Sequence, residues 1–195
     1  NPPAYGPASK LIYDTGSPAG APYGRSLEWS STSGAGYPND VRIMNNTFVN
    51  LSNGSPAVAR QIAGNLDIRN SAGLFMDFGG DNMTAALTVG DGVIIQGFLS
   101  LSNAIGGDLN LVGGSFSCQL PTSFSPNGRA VNFSSGGSQA IITSAGGIIE
   151  FDFVNVLNLG TDVQLFNQDI VIRERLELTA GGQFSPGVYD ITFEG

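Results

Sequence analysis

The amino-acid sequence predicts an all-β chain wound as a right-handed parallel β-helix, a β-solenoid of about 22 residues per coil. Three observations carry that expectation. Short stretches alternate apolar and polar residues with a period of two. They recur at a nearly constant interval. Glycine pairs punctuate the chain between them.

The alternating stretches are Asn65-Leu66-Asp67-Ile68, Ala86-Leu87-Thr88-Val89, Asp108-Leu109-Asn110-Leu111, Ala130-Val131-Asn132-Phe133, Glu150-Phe151-Asp152-Phe153 and Arg175-Leu176-Glu177-Leu178. A period of two turns one set of side chains inward and the other to solvent. No stretch of a helix's length carries an apolar stripe, so helix content should be close to nil. The first inward residues, Leu66, Leu87, Leu109, Val131 and Phe151, lie 21, 22, 22 and 20 residues apart. Val41 lies 25 before Leu66, and Leu176 lies 25 after Phe151. Stacking them gives an inward ladder, and beside it an outward column of Asp67, Thr88, Asn110, Asn132, Asp152 and Glu177. Two Phe-Ser-Pro elements, at Phe124 and Phe184, are 60 residues apart, near three coils. Glycine pairs at 79–80, 106–107, 113–114, 136–137, 146–147 and 181–182 mark corners that need positive φ or close backbone approach.

An antiparallel β-sandwich also has short strands and glycine-rich turns. It does not readily produce a repeat of this length from strands this short. The first 40 residues differ in texture, being rich in Pro and Gly and holding the only Trp, Trp29. Residues 1–40 are therefore read as an irregular first coil or cap-like region. Residues 41–195 are read as solenoid coils that continue beyond this stretch.

Composition narrows the function classes. Charged residues make up only 12% of the chain and the net charge is −8. An acidic surface repels phosphate backbones and anionic lipid, so neither nucleic acid nor a membrane is an expected partner. No apolar run is long enough to span a bilayer. The single cysteine cannot form an internal disulfide, and the chain has no histidine, the commonest general base and transition-metal ligand.

The residues that could carry chemistry are few. Glycan-cleaving β-helices cluster carboxylates on one face. The acidic candidates here are Asp67, Asp77, Asp81, Asp91, Asp108, Glu150, Asp152 and Glu177. Most read as a solvated ladder separated by neutral polar residues, with Asp152 and Glu177 as neighbours only if no coil intervenes. Lys10, the only lysine, leaves a lyase-type site short of a base. Gly80-Asp81-Asn82 and Gly90-Asp91-Gly92 are fragments of calcium-loop wording without the full spacing. No cofactor is expected, and Ca²⁺ is at most weakly held. Cys118 shares parity with Phe116 and should point into the core. Trp29, Tyr37 and Phe75 are the candidates for a sugar-stacking platform, weighed against ordinary core stacking of aromatic rings from coil to coil. Sequons at Asn45, Asn82 and Asn132 are expected by chance in a chain so rich in Asn, Ser and Thr.

The run Tyr23-Gly24-Arg25-Ser26-Leu27-Glu28-Trp29-Ser30, followed by Ser33-Gly34-Ala35-Gly36-Tyr37-Pro38-Asn39-Asp40-Val41, resembles large repeat-bearing surface proteins of Bacteroidota. So do Ala59–Leu66, Asn82–Val89 and Pro126–Phe133. The resemblance implies export by the type IX secretion system, a bacterial cell-surface location and a structural, adhesin-like role as a rigid stalk or fibre. Implied partners are adjacent coils of the same longer chain, the secretion machinery or other cell-surface proteins, and surface glycans. Such proteins normally end in a separate C-terminal sorting domain, which the resemblance places outside this stretch. The family shares no catalytic motif, so no catalytic, cofactor-binding or metal-binding residue carries over and no enzyme activity is expected. A carbohydrate-binding module, or a β-helix polysaccharide lyase or hydrolase, is the alternative.

Overall fold

Strands of three to five residues cannot bury a face alone, and each must stack on a copy of itself one turn away. The computed structural model, which describes residues 1–143, 147–179 and 181–194, shows that stacking. Every strand pair among the described residues is parallel, and the strands form three sheets of eight, five and seven strands. The fold is a parallel β-helix with coils of about 24 residues. Helical structure among the described residues is confined to three single 3₁₀ turns, one of them at Leu27–Trp29.

One coil visits each sheet in turn. The fourth strand of sheet A, Val93–Ile95, leads to Phe98–Ser100 in sheet B and Leu109–Leu111 in sheet C. Sheet A begins at Lys10–Tyr13, in register with Asp40–Ile43. Sheet B begins at Tyr23–Gly24. Sheet C begins a coil later, at Arg60–Ile62. In the first coil the Leu27–Trp29 turn stands in the third strand's place, and the fully buried Trp29 indole donates to the Gln61 carbonyl at 3.1 Å. Two arginines close the same corner. Arg25 donates to the carbonyls of Leu51 and Ser52 at 2.7 and 2.8 Å. Arg60 reaches those of Ser30 and Ala59. Burial, together with the nearby Arg25 charge, lowers the Arg60 guanidinium to about 10. These side chains supply donors to carbonyls that no regular strand meets.

The inward ladder needs correction at its ends. Leu87, Leu109 and Val131 stack in register in sheet C at intervals of 22. Leu66 instead belongs to sheet A, between Val41 and Val93. Below Leu87 lies Arg60, and above Val131 lies Val154 rather than Phe151. Phe151 pairs with Ile172, because an irregularity at Asp152 shifts the register between the two halves of the strand Ile149–Val156. Coil length is also less uniform than 22. It is 25 between Leu74 and Leu99 and 27 between Leu66 and Val93. The two Phe-Ser-Pro elements are not equivalent, since Phe124 pairs with Leu99 in sheet B and Phe184 with Val163 in sheet A.

The core is one continuous aliphatic column with a cross-braced aromatic layer. Phe116 of sheet A, Phe124 of sheet B and Phe151 of sheet C meet with ring centroids 5.0–5.6 Å apart. Sheet B ends at Phe124–Ser125, and beyond it sheet C strands lengthen to Ile149–Val156 and Ile170–Leu178. Each buried aliphatic or Phe side chain contributes roughly 1.5–3 kcal/mol before chain entropy is charged. The glycine pairs serve both expected purposes. Gly106 has φ +90°, and a Cβ on Gly107 would fall 2.2 Å from the Ser102 Cβ. Gly146 of the pair 146–147 lies outside the described residues. Among the described residues, five of the six non-glycine residues at positive φ are asparagines, which accounts for part of the Asn richness.

Candidate functional site

The outer face of sheet C is a hydrogen-bonded amide column. Asn110 donates to Thr88 Oγ1 at 3.3 Å, Asn132 to Asn110 Oδ1 at 2.7 Å, and Asn155 to Asn132 Oδ1 at 2.7 Å. The predicted column is right for Thr88, Asn110, Asn132 and Glu177. Asp67 sits in another sheet, and Asn155 takes the place assigned to Asp152. Asp152 and Glu177 are therefore not neighbours; Glu177 lies in register with Asn155. The Glu177 carboxylate can only accept, so the column stops there and Asn155 Oδ1 is enclosed without a partner among the described residues.

Most of the candidate acids are fasteners between coils rather than a converging set. Asp108 Oδ1 accepts the Ala130 N–H at 3.0 Å, Asp81 Oδ2 that of Gly54 at 2.6 Å, and Asp152 Oδ2 that of Gly128. Asp40 and Asp169 do the same for Asn65 and Asp190, each at 2.8 Å. These N–H groups lie at corners, where a carboxylate replaces the missing carbonyl. Burial alone would raise the Asp81 carboxyl. The bonds from Gly54, Ser52 and Asn50 and the Arg25 charge outweigh it and hold the group below its ordinary value. Asp77 accepts from Ser100, Asn103 and Asn127 at 3.0–3.2 Å. Asp91 accepts from Asn65 at 3.2 Å. Both calcium-loop fragments thus have their acid committed to a neighbouring coil. Among the described residues, no group of three or more His, Cys, Asp and Glu is placed to hold a metal ion.

Near the last coils the remaining acids pair with arginines. Arg173 pairs with Glu150 and lies 3.8 Å from Asp152. Arg175 pairs with Glu177 at 2.9 Å and covers the Phe153 ring. A shallow cleft here is lined by Thr122, Phe124, Ile148, Glu150 and Arg173.

The most chemically differentiated surface is on sheet A, where Asp67 and Lys10, each noted separately in the sequence, meet Arg42 and Arg69, which were not. Arg42, Asp67 and Ile94 stack outward in register. Asp67 Oδ2 accepts from Arg42 Nε at 2.8 Å and from Arg69 Nε at 3.0 Å. Arg69 also donates to Gln96 at 3.3 Å. The Asp67 side chain is only 9% exposed, and its Oδ1 has no partner among the described residues. Lys10, Asp40, Asn65 and Ile94 complete the cleft. The chain has eight cations, and three of them gather here. Their positions, 10, 42 and 69, are 32 and 27 residues apart, so no repeat of coil length marks them in the sequence.

Cys118 is buried as expected, with its thiol directed to the Leu120 carbonyl at 3.0 Å. Burial pushes the thiol up to about 12. Trp29 is fully buried and so offers no sugar platform. Tyr37 is half-buried and accepts from Gln61. Phe75 faces outward but is half-covered by Phe48, Phe78 and Phe98, at 5.5–5.8 Å. Of the sequons, Asn45 bonds Asp14 at 3.0 Å and Asn82 bonds the Gly80 carbonyl at 3.4 Å. Asn132 is held on both sides in the amide column.

No family model, curated protein or solved structure matches this chain.

Proposed function

We propose that the chain is a non-catalytic, rigid β-solenoid segment of a large secreted bacterial cell-surface protein. It acts as an adhesin-like stalk or fibre and as cargo of type IX secretion. The observation that carries this reading is how the polar side chains are used. The amide column and the carboxylates at the corners bind one coil to the next, and an unbroken apolar column runs beneath them. Such an object holds each coil to its neighbour along its length, which suits a stalk. The export route and the surface location rest on the resemblance of residues 23–41 to repeat-bearing surface proteins. Partners on this reading are further coils of the same chain and other surface proteins.

The test is an antibody raised against residues 1–195 and applied to intact cells of the producing bacterium. The reading expects labelling of unpermeabilised cells and its loss when type IX secretion is disabled. Labelling confined to the cytoplasmic fraction would contradict it.

A further inference from the structure

We infer that the cleft of Lys10, Arg42, Asp67 and Arg69 binds a single carboxylate-bearing sugar, of the kind that ends an acidic glycan chain. This goes beyond the stalk reading, which needs no ligand, and it stands whether or not that reading does.

The cleft holds three complementary features. The first is a pair of uncommitted cationic ends. Lys10 is exposed and, among the described residues, makes no hydrogen bond or ion pair. Arg42 commits only its Nε, to Asp67, which leaves both terminal nitrogens without a protein acceptor among the described residues. Two such groups suit one carboxylate, and the Arg42 fork can bind it through two oxygens. The second feature is Asp67 Oδ1. This carboxylate is nine-tenths buried and pinned through its other oxygen by Arg42 and Arg69, yet Oδ1 has no donor. A buried acceptor without a donor is costly; Oδ1 is closed to solvent in this structure, so a sugar hydroxyl supplies the missing donor once a neighbouring side chain moves aside. The third is Ile94, which is 39% exposed, lines the cleft and gives the apolar face of a pyranose ring something to rest on.

Charge sets the size of the ligand. The whole chain carries −8, so a long polyanion laid along the coils would be repelled outside this local cationic excess. One acidic residue at a chain end meets only the cleft. A free inorganic anion satisfies the cations but offers no hydroxyl to Asp67 and no face to Ile94.

The experiment is a titration of the ¹⁵N-labelled chain, read at the Nε–H resonances of Arg42 and Arg69. The probes are glucuronate, glucose and sulfate. Glucuronate should shift both resonances saturably, glucose should leave them in place, and sulfate should shift them only at concentrations well above those at which glucuronate saturates. Lys10→Gln removes a side chain without a protein partner, so it should leave the melting temperature unchanged and weaken glucuronate about two- to fivefold. Arg42→Gln should weaken it about tenfold or more. Equal shifts with sulfate would reduce the site to unspecific anion attraction and overturn the proposal. So would an absence of shifts, or a glucuronate response indifferent to Lys10→Gln and Arg42→Gln in a folded chain.

Discussion

The side-chain amide of Asn132 donates to Asn110 Oδ1 at 2.7 Å, across one turn of the solenoid, and accepts from Asn155 at the same distance. An asparagine can do both at an outward strand position, because its head carries a donor and an acceptor along the stacking axis. The bonds are partly shielded from water, so each polarises the next.

Asn132→Asp keeps the shape but removes the donor and sets a carboxylate against Asn110 Oδ1. The expected loss is about 1–3 kcal/mol of folding stability. It should appear as a lower urea midpoint at unchanged slope. A midpoint equal to that of the parent chain would mean that the column contributes nothing.

Leu109 lies fully buried between Leu87 and Val131. Leu109→Ala should cost about 2–5 kcal/mol through the cavity it leaves in the column. Leu109→Asp buries an unpaired charge and should unfold the segment. Circular dichroism during heating checks both; an unaltered melt for the aspartate would refute the inward placement.

Asp81 fastens its coil to Gly54, and its carboxyl is held below the usual value of 3.8. A carboxyl with a depressed folded-state pKa stabilises the fold while ionised. The benefit is complete above the unfolded pKa and disappears as pH falls through the folded one. Asp81→Asn should therefore be less stable than the parent by a constant gap between neutrality and about pH 5, and the gap should close below the ordinary carboxyl range. Melts across that range decide the matter, and a gap that widens in acid has the wrong sign.

The Cys118 thiol is buried and pushed up to about 12, so it stays protonated and enclosed in the folded chain. A thiol reagent near neutral pH should leave it unmodified until urea unfolds the chain, with the labelling rate following the unfolding curve. Prompt labelling of the folded chain would place Cys118 at the surface.

The coil was legible in the sequence because alternation is strict in the short strands. Leu87, Leu109 and Val131 stack as their spacing predicts. The ladder failed where a fixed interval was carried from one sheet into another. Leu66 precedes Leu87 by nearly one coil, yet they lie on sheets A and C, since the coils around them are longer than 22. Phe151 was misplaced by three residues because the irregularity at Asp152 switches the inward parity within one strand, from Phe151 to Val154. The cleft on sheet A was not legible. Arg42 and Asp67 are ordinary outward residues until the register sets them side by side, and no short-range pattern encodes register.

The stacking itself is open to direct chemical test. In-register parallel strands set Asn110 and Asn132 about 4.8 Å apart, within the roughly 4.4–6.8 Å Cα range of a disulfide. The double variant Asn110→Cys and Asn132→Cys, oxidised mildly and digested, should yield the linked peptide pair in high proportion. The pair Asp67→Cys and Asn110→Cys, on different sheets, should not. The opposite result, with Asp67 and Asn110 linked and Asn110 and Asn132 unlinked, would contradict the coil-on-coil register.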